Sequence, residues 1–422
     1  MNYTELPLKS ERLTRTFRKA KNEIESLAEL KLPVTNKNNP EKIDFSNKLS
    51  VSNGVYHNKI EFEILHTPLI HIEIEVSKTP KVSVSIGEKF VKNGFFVKDL
   101  YLSLLGEDRF TYDNFLKTLS PAESIFISCG VSFLKGGIIV HLPEKTTDVE
   151  LRIRKNFKEN ISGSFYTMLY IPRDTSVKIC EEVYSDGKEK GFSFELVELI
   201  AETNSKVWYN ILQKLDRKSE YLITRKISTY GNNNIEFNNV LLGAEYHRGE
   251  DRISIEGRNV ELKYTGIYFV NDSQRYDILV NTRHCESEQG ADVIVKGVLD
   301  DFAKVYFNGV LKVDEKLGKI NSFLGGHALH LSANCKSESI PSLEIDSFDV
   351  KAGHSASVTQ LDNEKLFYIM SRGLSEDEAK KVIVQGFIDG AIGRISDEEF
   401  RKKIEHGLRE KGLKILEAVS EI

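Results

Sequence analysis

The stretch from Ile125 to about Ser357 is persistently β-like, and no other feature narrows the choice of fold so far. Its short runs include GGIIVHLP, SVKICEEVY, IEFNNVLLG, GIYFVND, DVIVKGVL and AKVYFNGVLKV. Gly, Asn and Asp punctuate them, residues that turn a chain at little steric cost. Many runs are continuously apolar rather than alternating, as in strands buried on both faces. No helical crossovers separate them, which argues against a doubly wound sheet. There is no strict internal repeat, so periodicity alone leaves a stacked β-helix and a β-sandwich both open.

Helical patterning flanks this stretch. Leu13, Phe17, Ile24, Leu27 and Leu30 recur at near-helical spacing, predicting a helix to about residue 35 with a stop at Pro33. TNKNNPEK (Thr35 to Lys42) has loop composition. KIEFEILH, LIHIEIEV and KVSVSIG alternate as strands do. Gly106 to Ser124 reads as a helical interruption. Near the C-terminus, Asp362 suits an N-cap and Gly373 a stop. Ser375 with Glu378, and Ser396 with Glu399, fit capping boxes. Val384, Ile388, Ala391 and Ile395 share one helix face, and Phe400, Ile404 and Leu408 another. Periodicity favours packing of both faces on the chain's own β-core. The expected division is a mixed helical and α/β region over 1–124, a β-core over 125–360 and a helical region over 361–422.

Charge and motifs exclude several function classes. The formal net charge of -5 supplies no global basic field for nucleic acid. No stretch is long and apolar enough to span a bilayer, and the first 25 residues are too polar for a secretory signal. The four cysteines, Cys129, Cys180, Cys285 and Cys335, form no C-x-x-C pair and read as reduced thiols of a cytoplasmic protein. There is no G-x-x-x-x-G-K-[ST], G-x-S-x-G or H-E-x-x-H motif. A lone cysteine in a β-rich chain is ordinarily a small buried hydrophobe, the reading for Cys129 and Cys180. His284 and Cys285 are adjacent and point oppositely in a regular strand. His327 and His330, beside a Gly-Gly pair, suggest a turn with solvent-facing imidazoles.

From about Cys285 to Asp397 an ordered set of short segments stands out: KGVL (Lys296 to Leu299), FNG (Phe307 to Gly309), PSLEI (Pro341 to Ile345), LFY (Leu366 to Tyr368) and SRGLSEDEA (Ser371 to Ala379). In order and spacing the chain resembles the SufB/SufD family of iron–sulfur cluster assembly scaffolds. A weaker likeness covers Gly130 to Glu150. The resemblance implies a mainly β fold, a right-handed parallel β-helix core with helical N- and C-terminal regions. It implies a non-enzymatic scaffold of the SUF system, with ATPase activity in a SufC-type ABC ATPase bound by the C-terminal helices. Leu366, Phe367, Tyr368, Arg372, Gly373, Glu376 and Ala379 fall in the motifs expected to serve that partner. The scaffold would pair with a SufB/SufD-type paralogue or a second copy of itself, receive sulfur indirectly from a cysteine desulfurase system, and hold a transient iron–sulfur cluster at the subunit interface.

Two residues match the family's chemical positions. Cys335 stands six residues before Pro341, where SufB proteins place a cysteine before a PYIEV-like segment; its thiolate would accept sulfur or ligate iron. His354 matches the histidine of the SufB H-E-A-T and SufD H-G-A-T segments and would supply an imidazole ligand. Ser355 departs from the SufB glutamate, and a hydroxyl is a poorer iron ligand than a carboxylate. That favours a SufD-like or divergent paralogue, whereas Cys335 points toward SufB. The competing function is a β-helix carbohydrate-active enzyme, a lyase or esterase, since such folds carry acidic and basic clefts and fold alone assigns no activity.

Overall fold

The computed structural model describes residues 10–25, 59–65, 69–77, 81–158, 163–185 and 191–411, with 52% strand and 21% helix. Leu27, Leu30, Pro33 and the loop expected at Thr35 to Lys42 lie outside the described residues. Helix α1 (Glu11–Glu25) comes first, then β1 (Lys59–Leu65), β2 (Leu69–Val76), β3 (Lys81–Gly87), the short α2 (Glu88–Val91), β4 (Phe96–Asp99), α3 (Leu100–Leu105), α4 (Arg109–Asn114) and α5 (Ile125–Ser132). The strands of the core follow: β5 (Leu134–His141), β6 (Val149–Phe157), β7 (Ser164–Ile171), β8 (Ser176–Tyr184), β9 (Phe192–Ala201), β10 (Lys206–Lys214), β11 (Glu220–Thr229), β12 (Asn234–Leu241), β13 (Tyr246–Ile255), β14 (Val260–Val270), β15 (Arg275–His284), β16 (Gln289–Leu299), β17 (Lys304–Val313), β18 (Gly318–His330), β19 (Lys336–Ile345) and β20 (Asp349–Gln360). Helices α6 (Asn363–Met370), α7 (Glu376–Ile392) and α8 (Glu398–Glu410) complete the described chain.

From β5 onward the strands alternate between two sheets. Odd-numbered strands form the order β19-β17-β15-β13-β11-β9-β7-β5, with β4 added antiparallel beside β5, and even-numbered ones extend β1-β3-β2-β6 through β8 to β20. Neighbours from β5 on pair in parallel, so the chain winds as a solenoid of about 8 turns. This settles the β-helix against the sandwich, whose sheets are antiparallel. One corner carries a left-handed residue in successive coils: Asp174, Asn204, Asn232, Asn259 and Glu288 all have positive φ. Asn and Asp tolerate that conformation best among side-chain-bearing residues. Their amides also stack, Asn204 donating to Asp174 at 3.0 Å and Asn259 to Asn232 at 3.1 Å.

Parallel register places like residues above one another inside the coils. One row runs Ile179, Tyr209, Phe237, Tyr264, Val293 and Leu324. The three rings of this row pack closely: Tyr209 and Phe237 stack at 5.2 Å, and Tyr264 meets Phe237 edge-on at 5.0 Å. The middle coils also enclose charge. Lys155 is fully buried, with Nζ 3.1 Å from Glu181 and 2.9 Å from Glu195, while Tyr209 donates to Glu181 at 2.6 Å and Tyr221 to Glu195.

Helices cover the outer walls. Leu13, Phe17 and Ala20 of α1 pack with α5 over Phe194, Leu196 and Leu222. Glu198 pins the intervening loop, accepting from Thr118 N at 2.7 Å, Leu119 N at 3.1 Å and the Tyr166 hydroxyl. The β character expected from Ile125 is corrected at its start: IFISCGVS is α5, capped by Ser124 and buried nearly all round. A short continuous apolar run does not distinguish helix from strand, and Gly130 lets α5 sit against Leu196, whose side chain lies 2.6 Å from where a Cβ would be. On the even sheet, Val384, Ile388, Ala391 and Ile395 join Phe400, Ile404 and Leu408 against Leu242, Ile267, Val298 and Leu329, as periodicity favoured. The Ser375 capping box forms. The second does not: Asp397 caps α8 by accepting from Phe400 N at 3.2 Å, while Ser396 N donates to Glu236 at 2.8 Å.

The buried ion triad gives a prediction. Burial opposes ionisation of Glu181, but Lys155 and Arg225 hold its carboxyl below the ordinary range; burial likewise opposes charge on Lys155, and Glu181 and Glu195 hold its ammonium above. The Glu181 contribution is present above the unfolded carboxylate pKa and fades as pH falls through the lower native value. The Lys155 contribution is present below the unfolded lysine pKa and fades as pH rises through the higher native value. Stability from this cluster should be level between about pH 5 and 10. Lys155→Met, which strands two carboxylates, should cost about 3–5 kcal/mol in urea unfolding at pH 7; a loss under about 1 kcal/mol would contradict the triad.

Candidate functional site at the last coil

The last coil is made of β19 and β20, each the terminal strand of its sheet. Its backbone groups have a neighbouring strand on one side only. Large apolar side chains cluster around this edge: Phe323, Ile340, Ile345 and Val358 are exposed, and Phe348 stands fully in solvent at the β19–β20 turn. Sequence reading singled out none of these except Ile345; an aromatic residue within the polar turn DSFD was the available signal for Phe348.

His354 lies on β20 opposite Leu324. It therefore continues the inward row that begins at Ile179, at the point where no further coil stacks on it. The ring is exposed, and Nδ1 is 2.9 Å from the Pro341 carbonyl oxygen across the coil. The carbonyl can only accept, so Nδ1 carries the proton of that bond, and Nε2 is the nitrogen left to bind a metal when the ring is neutral. Ser355, one residue on, points to the opposite face and lies 3.4 Å from Nε2 of His327.

Cys335 occupies the corner between β18 and β19, where Lys336 N donates to Ala303 of the coil below. The residue is 5% exposed, and its thiol donates to Ser332 O at 3.0 Å. Burial pushes this thiol above its ordinary pKa, so it is protonated at neutral pH. Six residues of extended strand separate Cys335 from Pro341, roughly 20 Å. The chain thus places Cys335 and His354 in one coil without bringing them together. Among the described residues, no group of three or more His, Cys, Asp or Glu side chains is arranged to hold a metal ion.

The other histidines are not turn residues. Gly325 and Gly326 lie inside β18, and a Cβ on Gly326 would meet Ser339 Oγ at 2.4 Å and the Phe307 ring at 2.5 Å. Glycine here makes room for the wall opposite rather than for a turn. His330 is consequently buried, 2.7 Å from Ser337 Oγ, and His327 bonds Ser357 Oγ at 2.8 Å. His284 is enclosed, bonded to Gln289 and Ser322 at 2.8 Å each. Cys129 is a buried residue of α5, and Cys180 is half-buried below Asp397 at the start of α8. Burial pushes the Cys180 and Cys285 thiols up to about 11.

The C-terminal motif residues divide by exposure. Phe367 is 72% and Tyr368 59% exposed, with Met370, Leu374 and Val382 beside them in the sequence also open. Arg372 lies over the Tyr368 ring at 5.1 Å and donates to its hydroxyl at 2.9 Å. Gly373, at φ +100, ends this turn, and Glu376 pairs with Lys380 at 2.6 Å. Leu366 and Ala379 are buried, so they hold the helices in place rather than face outward. No helix among the described residues is long and apolar enough to cross a membrane.

Comparison with known proteins agrees with this architecture. Residues 158–387, more than half of the chain, match the family described as SUF system FeS cluster assembly, SufBD core domain. An iron–sulfur cluster assembly SufBD family protein of Staphylococcus saprophyticus is 25% identical over 295 residues, 68% of this chain and 63% of that protein. A SufBD family protein of Staphylococcus epidermidis is 24% identical over 305 residues, 71% of this chain and 65% of the other; one from Staphylococcus aureus has the same identity and coverage. The chain thus spans just under two thirds of the length of these curated relatives. With a parallel solenoid and a family match through its core, the chain belongs to the SufBD family.

Proposed function

We propose that this protein is a scaffold subunit of the SUF iron–sulfur cluster assembly system, closer to SufD than to SufB, and that its last coil is where a second scaffold subunit docks. The observation that carries the reading is the open edge of β19 and β20, bordered by Ile340, Ile345, Phe348 and Val358. An unpaired edge with an apolar border invites another chain. The partner is a SufB/SufD-type paralogue or a second copy. Family membership gives the carbohydrate-active alternative no support.

At that interface Cys335 would receive sulfur and His354 would ligate iron, the cluster being cargo rather than a resident cofactor. In sulfur transfer, the Cys335 thiolate attacks the outer sulfur of a donor persulfide. A new S–S bond forms at Cys335, the donor S–S bond breaks, and the donor leaves as thiolate with no net oxidation. Because Cys335 and His354 lie far apart within one chain, a complete ligand set needs residues from the partner. The thiol must also leave the Ser332 carbonyl and lose its proton, so docking is coupled to opening of this corner.

The exposed side chains of α6 and the following turn form the surface for a SufC-type ABC ATPase. Truncation at Gln360 would also strip α7 and α8 from the β-core and bare Ile267, Val298 and Leu329, so point substitutions are the cleaner test. Phe367→Ser with Tyr368→Ser should leave the circular dichroism unchanged and weaken ATPase binding by about 2 kcal/mol, roughly 30-fold. Undiminished binding would remove α6 from the interface.

Leu343 and Ile345 both take inward positions, opposite Leu311 and Val313, and Leu343 packs on the core. Ile340 and Phe348 are therefore the residues to charge. Ile340→Asp with Phe348→Asp should shift light scattering of the assembled scaffold toward the monomer mass. A unit that is monomeric before substitution, alone and with its paralogue, would contradict docking at this edge.

Anaerobic reconstitution of the assembled complex tests the chemistry. Cys335→Ser should reduce sulfide incorporation, and His354→Ala should weaken iron binding by about 10-fold or more, provided both variants assemble. In the isolated chain, alkylation of Cys335 should be slow at pH 7 and still rising beyond pH 9. Normal cluster content in both variants would make the two residues structural.

A further inference from the structure

The walls of the middle coils direct an unusual set of unpaired polar atoms inward. Arg225 of β11 is fully buried and donates through Nη1 to Asp251 at 2.8 Å, but Nε and Nη2 have no partner among the described residues. Both ring nitrogens of His247, also fully buried, are likewise unpaired, as are Asn239 Oδ1 and Thr167 Oγ1. Arg225, His247 and Asn239 share one region, and Thr167 lies two strands along the same wall. Thr167, Val197, Arg225 and Asp251 are successive neighbours in one row of the odd sheet. His247 lies one strand from Arg225 and is influenced by its charge. Across the lumen, Asn239 donates to Asp251 at 2.9 Å and the Tyr264 hydroxyl donates to the same carboxylate at 2.6 Å.

Each such group costs about 1–3 kcal/mol if nothing meets it. Burial and the nearby Arg225 and Arg248 charges push His247 down to about 3, so its ring is neutral. A neutral imidazole carries one donor and one acceptor. The unpaired set therefore contains guanidinium donors, an imidazole that needs both kinds of partner, and amide and hydroxyl oxygens. Only a small molecule that both donates and accepts satisfies all of them. Charge separates water from an anion: Lys155 and Arg225 already face Glu181, Glu195 and Asp251, so the enclosure leans negative. An added anion would meet that surplus, whereas water would not.

We propose that the lumen beside Arg225, His247 and Asn239 is a structural water site, holding ordered internal water as part of the folded core. Buried water of this kind makes about three hydrogen bonds per molecule and is costly to remove.

The test is a crystal structure of the full chain at a resolution that shows ordered water, together with oxygen-17 magnetic relaxation dispersion in solution. The expected result is water density within hydrogen-bond distance of Arg225 Nη2 and of the His247 ring. His247→Phe keeps a ring between Tyr221 and Tyr276, whose centroids lie 5.6 and 5.3 Å away, and should lose at least one long-lived water from the dispersion amplitude. A dry lumen, density for an ion instead of water at Arg225, or an unchanged amplitude in a folded His247→Phe variant would overturn the proposal. If that variant does not fold, the crystal density of the unsubstituted chain decides alone.

Discussion

Parallel, in-register hydrogen bonding between successive coils is the constraint on which the rest of this structure depends. It stacks each inward residue on its counterpart in the next coil, at the spacing of neighbouring strands, about 4.8 Å. The row from Ile179 to Leu324 exists because the register never slips between β8 and β18. The same rule makes a middle coil and a terminal coil chemically different. A middle coil has neighbours on both sides, whereas β19 and β20 have one each. Unsatisfied backbone and exposed apolar surface are thereby concentrated at the end of the solenoid.

The outer faces follow a second logic. Helices α7 and α8 lie on the even sheet through a shared apolar cluster, with charged pairs at the margin: Arg394 with Asp292, Lys403 with Glu182 and Lys214 with Glu410. Exposed pairs of this kind contribute little individually, so the apolar faces of the helices hold them in place and the charges set their register. Helix α6 differs, with Leu366 its one buried residue and Phe367 and Tyr368 turned outward. The C-terminal region thus joins an anchored part to a part left open.

Much of the fold was legible in the sequence for a simple physical reason. Strands enclosed on both sides need no alternation, and GGIIVHLP or GIYFVND show none. Harder to see was the repeat. The coils share no common residue string because their lumen requires only matching shape and polarity, and what recurs is the left-handed corner at Asp174, Asn204, Asn232 and Asn259. The glycines at 325 and 326 misled in the other direction. They signalled a turn, but both lie inside β18, and Gly326 admits Ser339 and Phe307 from the facing wall, a long-range contact that no local pattern records. Helix α5 was hidden likewise, since burial on all sides erases the amphipathic signal. Cys335 and His354 became conspicuous only by likeness to a family, because a buried thiol and a strand histidine look ordinary by themselves.

The geometry of the last coil also recasts the departure at Ser355. Strand alternation directs His354 inward and Ser355 outward, so these neighbours do not converge on one ion from a regular β20. A carboxylate at position 355 would sit on the outer face near His327, not beside the His354 ring. Replacing glutamate by serine therefore changes the outer face of the terminal strand and leaves the inward imidazole untouched. Cys335 lies at the corner, roughly 20 Å from Pro341, which anchors His354. Each of the three positions presents to a different direction, and chemistry that uses more than one of them needs a second surface laid against this edge.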